Sequence, residues 1–343
     1  MKLIKRVYKW IILSIILQIL VLAYFNYDFL LKEHEIKATS YEMSDKTVEV
    51  KKKSVEIQQG ATQLKVSYDG NHAAWLLSGK IHVYDLLNKK SKDTIEDDSG
   101  DINYYRWLPD RNIIIYSVSS LKTGKVNVMT KDIETGNTHS YPAISGLAKN
   151  SEVTDIEFSL LTNLIYAKVQ TSSTRARIYK FDIMDNLNYI MIFDSSSKIE
   201  EANLSDILYY EDEKGRVMQW DGKRKSKSRV DIDGKVSLIG VDAEDNLYIG
   251  NKDSEGKINK LQYRKQDKES DSKWNEISLK TACDEKDLIV TEKGSLYMVN
   301  TSNKVVINLK NNAEIKYEGE FIEILDNYIV YSVNEKLIVD NID

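Results

Sequence analysis

The chain has 343 residues, of which 42% are hydrophobic and 29% are charged. This composition excludes a disordered chain and supplies enough apolar side chains for a sizeable core. A formal net charge of −5 argues against nucleic acid as a partner, and a single cysteine, Cys283, excludes an intramolecular disulfide framework.

The first predicted element is a transmembrane helix at residues 10–27. These 18 residues, from Trp10 to Tyr27, carry no charge, and a helix of that length covers about 27 Å, close to the roughly 30 Å hydrocarbon core of a bilayer. Basic residues precede the segment, and Asp28 follows it. The positive-inside rule therefore predicts a cytoplasmic tail at residues 1–9 and an extracytoplasmic location for the rest of the chain.

A cleaved signal peptide is the alternative interpretation of this N-terminal segment. The apolar run is long, and no small-x-small cleavage site follows it, which favours an uncleaved membrane anchor. Residues 28–46 are polar and mixed, without regular alternation, and they predict a stalk between the anchor and the domain that follows.

From residue 47 to residue 343, apolar and polar residues alternate in short runs that are separated by Asp-Gly, Gly-Lys and Asn-rich turns. A period of two is typical of half-buried β-strands, and no stretch of helical periodicity interrupts it. Strands without intervening helices indicate an antiparallel sandwich, barrel or propeller.

A sequence repeat selects the propeller among these options. A small or polar residue, a basic residue and an alternating strand recur seven times, at a mean spacing of about 43 residues, the length of one four-stranded blade. The basic residues of the seven copies are Lys80, Lys125, Arg177, Arg216, Lys257, Lys304 and Lys336. A polar turn and a strand with an aromatic or other large residue precede each copy. The repeat predicts an all-β, seven-bladed β-propeller.

The seventh repeat contains only three recognisable strands. Residues 47–57 alternate well and stand alone before the first blade, so they are predicted to supply the missing strand of the last blade. Such a strand joins the two ends of the ring and removes a free sheet edge.

Two repeats carry a resemblance to a known group of propellers. The segments from Ser67 to Trp75 (SYDGNHAAW) and from Leu108 to Tyr116 (LPDRNIIIY) resemble the repeat of TolB-like propellers and the blades of the dipeptidyl-peptidase IV N-terminal domain. The resemblance implies a propeller fold and little about function, since propellers serve many roles. The Gly-x-Ser-x-Gly elbow of an attached hydrolase is absent from the sequence, so peptidase activity is not predicted.

No metal or cofactor site is predicted. The four histidines are His34, His72, His82 and His139, and none forms a close-set pair with ligand spacing. Two basic clusters, 51–53 and 223–229, admit two interpretations: a site for an anionic polymer or lipid headgroup, or charged outer strands that discourage edge pairing.

Tyrosine is enriched, with 21 copies against six phenylalanines. Tyrosines at strand ends, such as Tyr116 and Tyr166, are expected to pack between blades, whereas exposed aromatic rings at a propeller mouth stack on sugars or anchor proteins. The candidate binding surface comprises Tyr104, Tyr105, Trp107, Tyr209 and Tyr210.

These observations predict a non-catalytic, membrane-anchored, extracytoplasmic propeller that serves as a protein-binding or assembly module of the cell envelope. A carbohydrate-binding accessory role in surface polysaccharide production or export is one alternative, suggested by the tyrosine content. An enzyme acting at the propeller channel is another, and it requires a convergent cluster of histidines or carboxylates at one mouth.

Overall fold

The computed structural model describes residues 2–25, 52–120, 122–265 and 273–342. The predicted stalk, at residues 28–46, lies outside the described residues. One helix, α1 (Lys2–Phe25), belongs to an N-terminal unit, and the strands belong to a second unit, Val50–Asp343. In the described part of the chain, no helix combines the length and the apolar character that crossing a membrane requires.

Seven antiparallel sheets of four strands each form the second unit, which confirms the predicted seven-bladed β-propeller. The strands of each blade are called A to D, from the central channel outwards. Blade 1 contains β2 (Thr62–Val66), β3 (His72–Leu77), β4 (Lys80–Asp85) and β5 (Lys90–Ile95), and blade 2 contains β6 (Asp101–Trp107), β7 (Ile113–Ser120), β8 (Lys125–Asp132) and β9 (Thr138–Ser140). Blade 3 contains β10 (Glu152–Phe158), β11 (Ile165–Gln170), β12 (Arg175–Phe181) and β13 (Leu187–Asp194).

The remaining blades follow the same order. Blade 4 contains β14 (Ile199–Glu201), β15 (Ile207–Glu211), β16 (Val217–Asp221) and β17 (Ser226–Arg229), and blade 5 contains β18 (Val236–Val241), β19 (Asn246–Lys252), β20 (Ile258–Lys265) and β21 (Asn275–Cys283). A single-turn 3-10 helix, Glu285–Asp287, precedes blade 6, which contains β22 (Leu288–Val290), β23 (Leu296–Asn300), β24 (Val305–Asn308) and β25 (Glu314–Lys316). Blade 7 contains β26 (Glu320–Ile324), β27 (Tyr328–Val333) and β28 (Lys336–Asn341).

The outer strand of blade 7 comes from the other end of the domain. Strand β1 (Lys53–Glu56) pairs antiparallel with β28, with Ser54 opposite Ile338 and Val55 opposite Leu337. Residues 47–51 of the predicted closing segment lie outside the described residues. Because β1 completes the last sheet, both ends of the ring are fixed to each other by main-chain hydrogen bonds.

The core consists of seven apolar clusters, and each one lies between two neighbouring blades. Tyr116, Tyr166, Tyr248 and Tyr331 are each 2% exposed or less and belong to these clusters or pack beside them, as their strand-end positions indicate. Alternate residues of a strand face opposite sides, so the inner strands of each blade bury side chains against both neighbours. The ring is therefore stabilised by contacts between blades.

The two faces of the ring differ in the turns that they carry. The turns between strands A and B and those between strands C and D lie on one face, called the AB face here, since successive strands run in opposite directions. At the AB turn of blade 1, Gly70 has a φ of +64°, and an added Cβ would lie 2.7 Å from the ring of Tyr328. The Tyr328 hydroxyl donates to the carbonyl oxygen of Asp69 at 2.8 Å, which joins blade 7 to blade 1.

Candidate functional site

The predicted aromatic surface does not form in the structure. Tyr105 and Tyr209 are 0% and 1% exposed, and the Tyr105 hydroxyl donates to the carbonyl oxygen of Gln63 at 2.5 Å. Trp107 and Tyr210 are also buried, at 7% and 5% exposure. These four side chains pack in the clusters between blades, where they cannot stack on a ligand.

Tyr104 is the half-buried member of the predicted set. Its hydroxyl donates to Oδ1 of Asp155 at 3.1 Å, so it links β6 to the first strand of blade 3. A β-bulge in β6 changes which side chains face the core. Ile102 pairs with Val118 and Tyr104 pairs with Ser117, so Asn103 is the extra residue of the bulge. An extra residue reverses the facing of the side chains after it, and Tyr105 therefore shares the buried side with Ile102.

The A strands enclose a polar cavity that the sequence analysis did not predict. This inner cavity has a volume of about 250 Å³ and lies among blades 2 to 6. Its ionisable lining residues are Arg106, Glu157, Lys198, Glu200, Glu201 and Glu292. The predicted functional alternatives include an enzyme with a convergent carboxylate cluster, and four carboxyl groups converge here.

A second cavity, of about 290 Å³, shares Arg106 and Glu292 with the inner cavity and is called the mouth cavity here. It is lined by residues of the AB turns, including Pro109, Lys293 and Asn327. The two cavities therefore lie next to each other, and the mouth cavity is the one at the AB face.

Two ion pairs engage the cations of the inner cavity. The Arg106 guanidinium binds the Glu157 carboxylate and donates to the carbonyl oxygen of Ile156 at 2.8 Å. Its Cζ also lies 5.4 Å from the centre of the Phe158 ring. These contacts fix the guanidinium between blades 2 and 3, and the positive charge is compensated by the carboxylate beside it.

Lys198 makes the second pair. Its Nζ lies 2.7 Å from Oε1 of Glu200 and donates to the carbonyl oxygen of Ile239 in blade 5. The Glu200 and Glu157 carboxylates raise the pKa of Lys198 against the effect of its burial. Lys198 is therefore held as a cation that already has its counter-ion.

Glu201 and Glu292 lack such partners. Glu201 is 4% exposed, and neither of its carboxyl oxygens has a hydrogen-bond partner. Burial, and secondarily the charge of Glu157, raises the pKa of Glu201 well above its usual range. Burial also raises the pKa of Glu292, to about 7, although Arg106 acts in the opposite direction.

The raised pKa values predict how stability depends on pH. Burial raises the pKa of Glu201, Glu292 and Glu323, so the folded state binds more protons than the unfolded state between about pH 5 and 8. We therefore expect stability to be greatest near pH 5 and to fall as the pH rises. Melting followed by tryptophan fluorescence at pH 5, 6, 7 and 8 measures this.

Glu201→Gln removes one of these groups, and we expect it to flatten the pH profile by raising the melting temperature at pH 7 to 8. Glu285→Gln is the control, because Glu285 lies outside the lining of both cavities. A melting temperature that rises between pH 5 and 8 in the unmodified chain would contradict the prediction.

Exposed apolar side chains are concentrated on blade 3, at two turns of its AB face and along its outer strand. Eight large apolar side chains are exposed in the described part of the propeller, and five of them lie on this blade. These five, called the blade 3 patch, are Leu161, Ile183, Met184, Tyr189 and Ile192, with exposures of 49% to 76%. Concentration on one blade distinguishes the patch from scattered surface residues.

The outer strand of blade 3 also differs from most other outer strands. Lysine occurs in β1, β5, β17, β21 and β25, and lysine at a sheet edge discourages pairing with other chains. Strand β13 has eight residues, LNYIMIFD, with no basic residue. Strand β13 is thus a long, apolar sheet edge that has no lysine to discourage pairing with another chain.

The described residues of the two basic clusters lie in outer strands or directly beside them. Lys53 Nζ donates to the carbonyl oxygen of Gly70 and to Oδ1 of Asn71, both at 2.8 Å, while Lys52 pairs with Asp340 at 2.8 Å. Lys227 and Arg229 lie in β17, which is exposed along its length. Within the described residues, no group of three or more His, Cys, Asp or Glu side chains is arranged to hold a metal ion.

Comparison with known proteins supports the fold. No family model matches the chain, and no curated protein matches it. The β-propeller domain of Cps50 (Swd1) from Myceliophteria thermophila aligns with a TM-score of 0.55 and 11% identity, over 84% of this chain and all of that one.

Two further solved structures align with the chain. A prolyl endopeptidase aligns with a TM-score of 0.51 and 12% identity over 77% of this chain, but over 42% of its own length. TolB from Acinetobacter baumannii aligns with a TM-score of 0.42 and 11% identity, over 84% of this chain and 64% of its own. At 11% and 12% identity, the likeness to the Cps50 domain and to the prolyl endopeptidase establishes the propeller fold alone.

Proposed function

We propose that this chain is a non-catalytic propeller that binds a protein partner through the blade 3 patch, and that its N-terminal segment tethers it to the cell envelope. The observation that carries the proposal is the apolar edge of β13. A protein with such an edge either aggregates or keeps the edge covered, and a partner that packs on Tyr189 and Ile192 covers it.

The patch has the chemistry of a protein interface. Ile183 and Met184 lie at the tip of the turn before β13, and Tyr189 and Ile192 lie along the strand, so one hairpin presents all four. Aromatic residues and methionine are enriched at the centres of interfaces, where charged residues are depleted. The Tyr189 ring contacts Tyr179 edge-on, with centroids 5.8 Å apart, which positions it before a partner binds.

The membrane tether is supported by the sequence from Trp10 to Tyr27, which has no charged residue and extends beyond the described side chains. The described apolar side chains of α1 are exposed, with Leu17 at 64% and Leu22 at 68%. An extracytoplasmic location of the propeller follows from the basic residues that precede this segment.

The alternatives fit less well. Carbohydrate binding depended on exposed aromatic rings, and Tyr105, Trp107 and Tyr209 are buried. An enzyme at the channel would use the carboxyl groups of the inner cavity, but Glu157 and Glu200 are paired with cations. Glu201 and Glu292 are left as acid or base groups, and among the described residues that line this cavity there is no Cys or Ser to serve as a nucleophile.

Lysine substitutions on β13 test the partner site. We expect the double variant Tyr189→Lys and Ile192→Lys to reduce capture of the partner by roughly tenfold or more, which corresponds to about 1.4 kcal/mol, since two charges would be placed in an apolar contact. The measurement is quantitative affinity capture with the full chain after cross-linking in cells that express it.

The control is Ser278→Lys, which adds a lysine at an exposed position of β21, the outer strand of blade 5. It is expected to leave capture unchanged. Light scattering on the purified chain shows whether the captured partner is a second copy. Equal capture by the control and the β13 variant would contradict the proposed site.

A further inference from the structure

The exposed apolar side chains of the turns all lie on one face of the ring. Two exposed apolar residues of the described propeller, Tyr189 and Ile192, belong to a strand. The other six lie in AB turns or CD turns, with exposures of 41% to 76%: Tyr68, Leu87, Leu161, Ile183, Met184 and Leu204. Among the described residues, the turns of the opposite face carry no exposed large apolar side chain. This asymmetry distinguishes the AB face from an ordinary protein surface.

The two basic clusters lie on the same face. Strand β28 runs towards the AB face, and β1 pairs with it antiparallel, so Lys52 and Lys53 lie where β1 begins, at the AB face. Lys223, Arg224 and Lys225 form the CD turn of blade 4, between β16 and β17, and all three are exposed. Basic and apolar side chains therefore occur together on this face.

Carboxylates also occur on the AB face, and several of them are engaged by their own turns. Asp85 Oδ1 accepts the backbone N–H of Leu87 at 3.0 Å, and Asp182 Oδ1 accepts that of Met184 at 2.9 Å. Asp132 and Asp242 accept backbone N–H groups in the same way in blades 2 and 5. These bonds order the turns, and in blades 1 and 3 they hold an apolar residue at the tip.

Strand β1 also shows on which face the chain enters the propeller. Because β1 begins at the AB face, the segment that leads from the proposed tether reaches the ring there. A tether brings the face on which it is attached to the bilayer at a high effective concentration. Individually weak contacts between that face and lipid are then sufficient for stable binding.

A lipid bilayer fits the AB face better than a protein partner does. The six apolar side chains lie in five separate turns on blades 1, 3 and 4. A protein interface has a contiguous, well-packed centre, whereas the interfacial region of a bilayer accepts separate apolar tips and places basic side chains beside anionic headgroups.

We propose that the AB face lies on the surface of an anionic lipid bilayer. The apolar tips of its turns insert in the interfacial region, and Lys223 and Lys225 contact the headgroups. This inference rests on the tether of the proposed function. It also divides the blade 3 patch, because the tip at Ile183 and Met184 contacts lipid, while β13 runs away from the AB face and keeps its side chains for the partner.

Site-specific fluorescence in proteoliposomes tests the proposal. Cys283, the single cysteine, is replaced by alanine, and one cysteine is introduced for an NBD label. Leu161→Cys labels the AB face, and Ser172→Cys is the matched control in an exposed turn of the same blade on the opposite face. The full chain is reconstituted in liposomes of phosphatidylcholine and phosphatidylglycerol that carry a nitroxide on the acyl chain. We expect blue-shifted emission and at least twofold quenching at position 161, and neither at position 172.

A second pair of variants shows whether the label itself causes insertion. Met184→Glu combined with Leu204→Glu places two charges at other tips of the AB face, and we expect it to reduce quenching at position 161 by half or more. Thr301→Glu combined with Ser302→Glu adds the same charges in an exposed turn of the opposite face and is expected to leave quenching unchanged.

The lipid composition tests the role of the basic residues. Quenching at position 161 is expected to fall at least twofold in liposomes of phosphatidylcholine alone, since Lys223 and Lys225 then lose their anionic partners. Three results would each overturn the proposal: equal quenching at positions 161 and 172, no effect of the two glutamates on the AB face, or equal quenching with and without phosphatidylglycerol. The first result would leave the AB face to a protein partner.

Alkaline carbonate extraction of the same proteoliposomes tests the tether separately. A chain that resists extraction while its label at position 161 is unquenched would retain the tether and contradict the membrane contact of the AB face. A chain that is extracted, although its label was quenched beforehand, would contradict the tether alone. Failure of the membrane contact is therefore distinguishable from failure of the proposed function.

Discussion

Val55→Asp is expected to lower the free energy of unfolding of the propeller by roughly 3 kcal/mol or more. Val55 is 7% exposed and packs with Leu337 and Val339 in the cluster between blades 7 and 1. An aspartate there loses the apolar contact and buries a carboxyl group without a partner. Because β1 is the outer strand of the last sheet, the substitution also weakens the closure of the ring.

Chemical denaturation of the full chain measures this loss, and limited proteolysis shows whether the N-terminal strand is released first. Glu56→Ala is the matched control in the same strand: the Glu56 side chain is 86% exposed and pairs with Lys336 at 3.9 Å. An exposed pair of this kind contributes about 0.5 kcal/mol or less. Equal stability of the two variants would show that β1 does not hold the ring closed.

Asp206→Ala is the second substitution with a large expected effect, a loss of roughly 3–5 kcal/mol. The Tyr166 hydroxyl donates to Oδ1 of Asp206 at 2.6 Å, and Lys180 Nζ lies 2.5 Å from Oδ2. The side chains of Lys180 and Asp206 are 13% and 11% exposed. Removal of the carboxylate leaves a buried ammonium group and a buried hydroxyl without their acceptor.

A double-mutant cycle tests whether the loss comes from the unpaired charge. Asp206→Ala combined with Lys180→Met removes both charges, and we expect the double variant to recover about half or more of the lost stability. The control pair, Arg175 and Glu213, is 51% and 64% exposed, so Glu213→Ala should cost about 0.5 kcal/mol or less. Strict additivity of the two buried substitutions would contradict the interpretation.

The architecture was predictable from the sequence because propeller blades repeat their chemistry. Alternating strands, polar turns and a period of one blade length require no knowledge of long-range contacts, and they specify seven sheets. The burial of the tyrosines at strand ends, such as Tyr116 and Tyr248, was also predictable. A large side chain in the second strand of a blade packs against a neighbouring blade.

The aromatic surface was not predictable, for a physical reason. Bulges in the A strands change the side on which the following residues lie, and nothing in the local composition marks them. In β6 the bulge at Asn103 places Tyr105 in the core, and in β10 another bulge separates Val153 from Asp155. If a strict period of two is assumed through these strands, the residues after the bulge are assigned to the wrong side of the sheet.

A signal for the inner cavity was present in the sequence and was overlooked. The second-to-last residue of the A strand is charged in five of the seven blades: Lys65, Arg106, Glu157, Glu200 and Glu323. A charge that recurs within otherwise apolar inner strands indicates a polar channel. Arg106 pairs with Glu157 of the next blade, and Glu200 pairs with Lys198 two residues before it in the chain. The structure was needed to show which of these charges are paired.

The closing strand also has a consequence for the order in which the protein is built. Strand β1 is synthesised before every blade, but its partner β28 is the last strand of the domain. The first strand that is synthesised therefore cannot pair until the last one is complete. The ribosome must synthesise all seven blades before β1 can pair with β28, and contacts so distant in sequence form slowly. Truncated products would keep an unpaired strand at one end and an incomplete sheet at the other, which marks them for removal by chaperones and proteases.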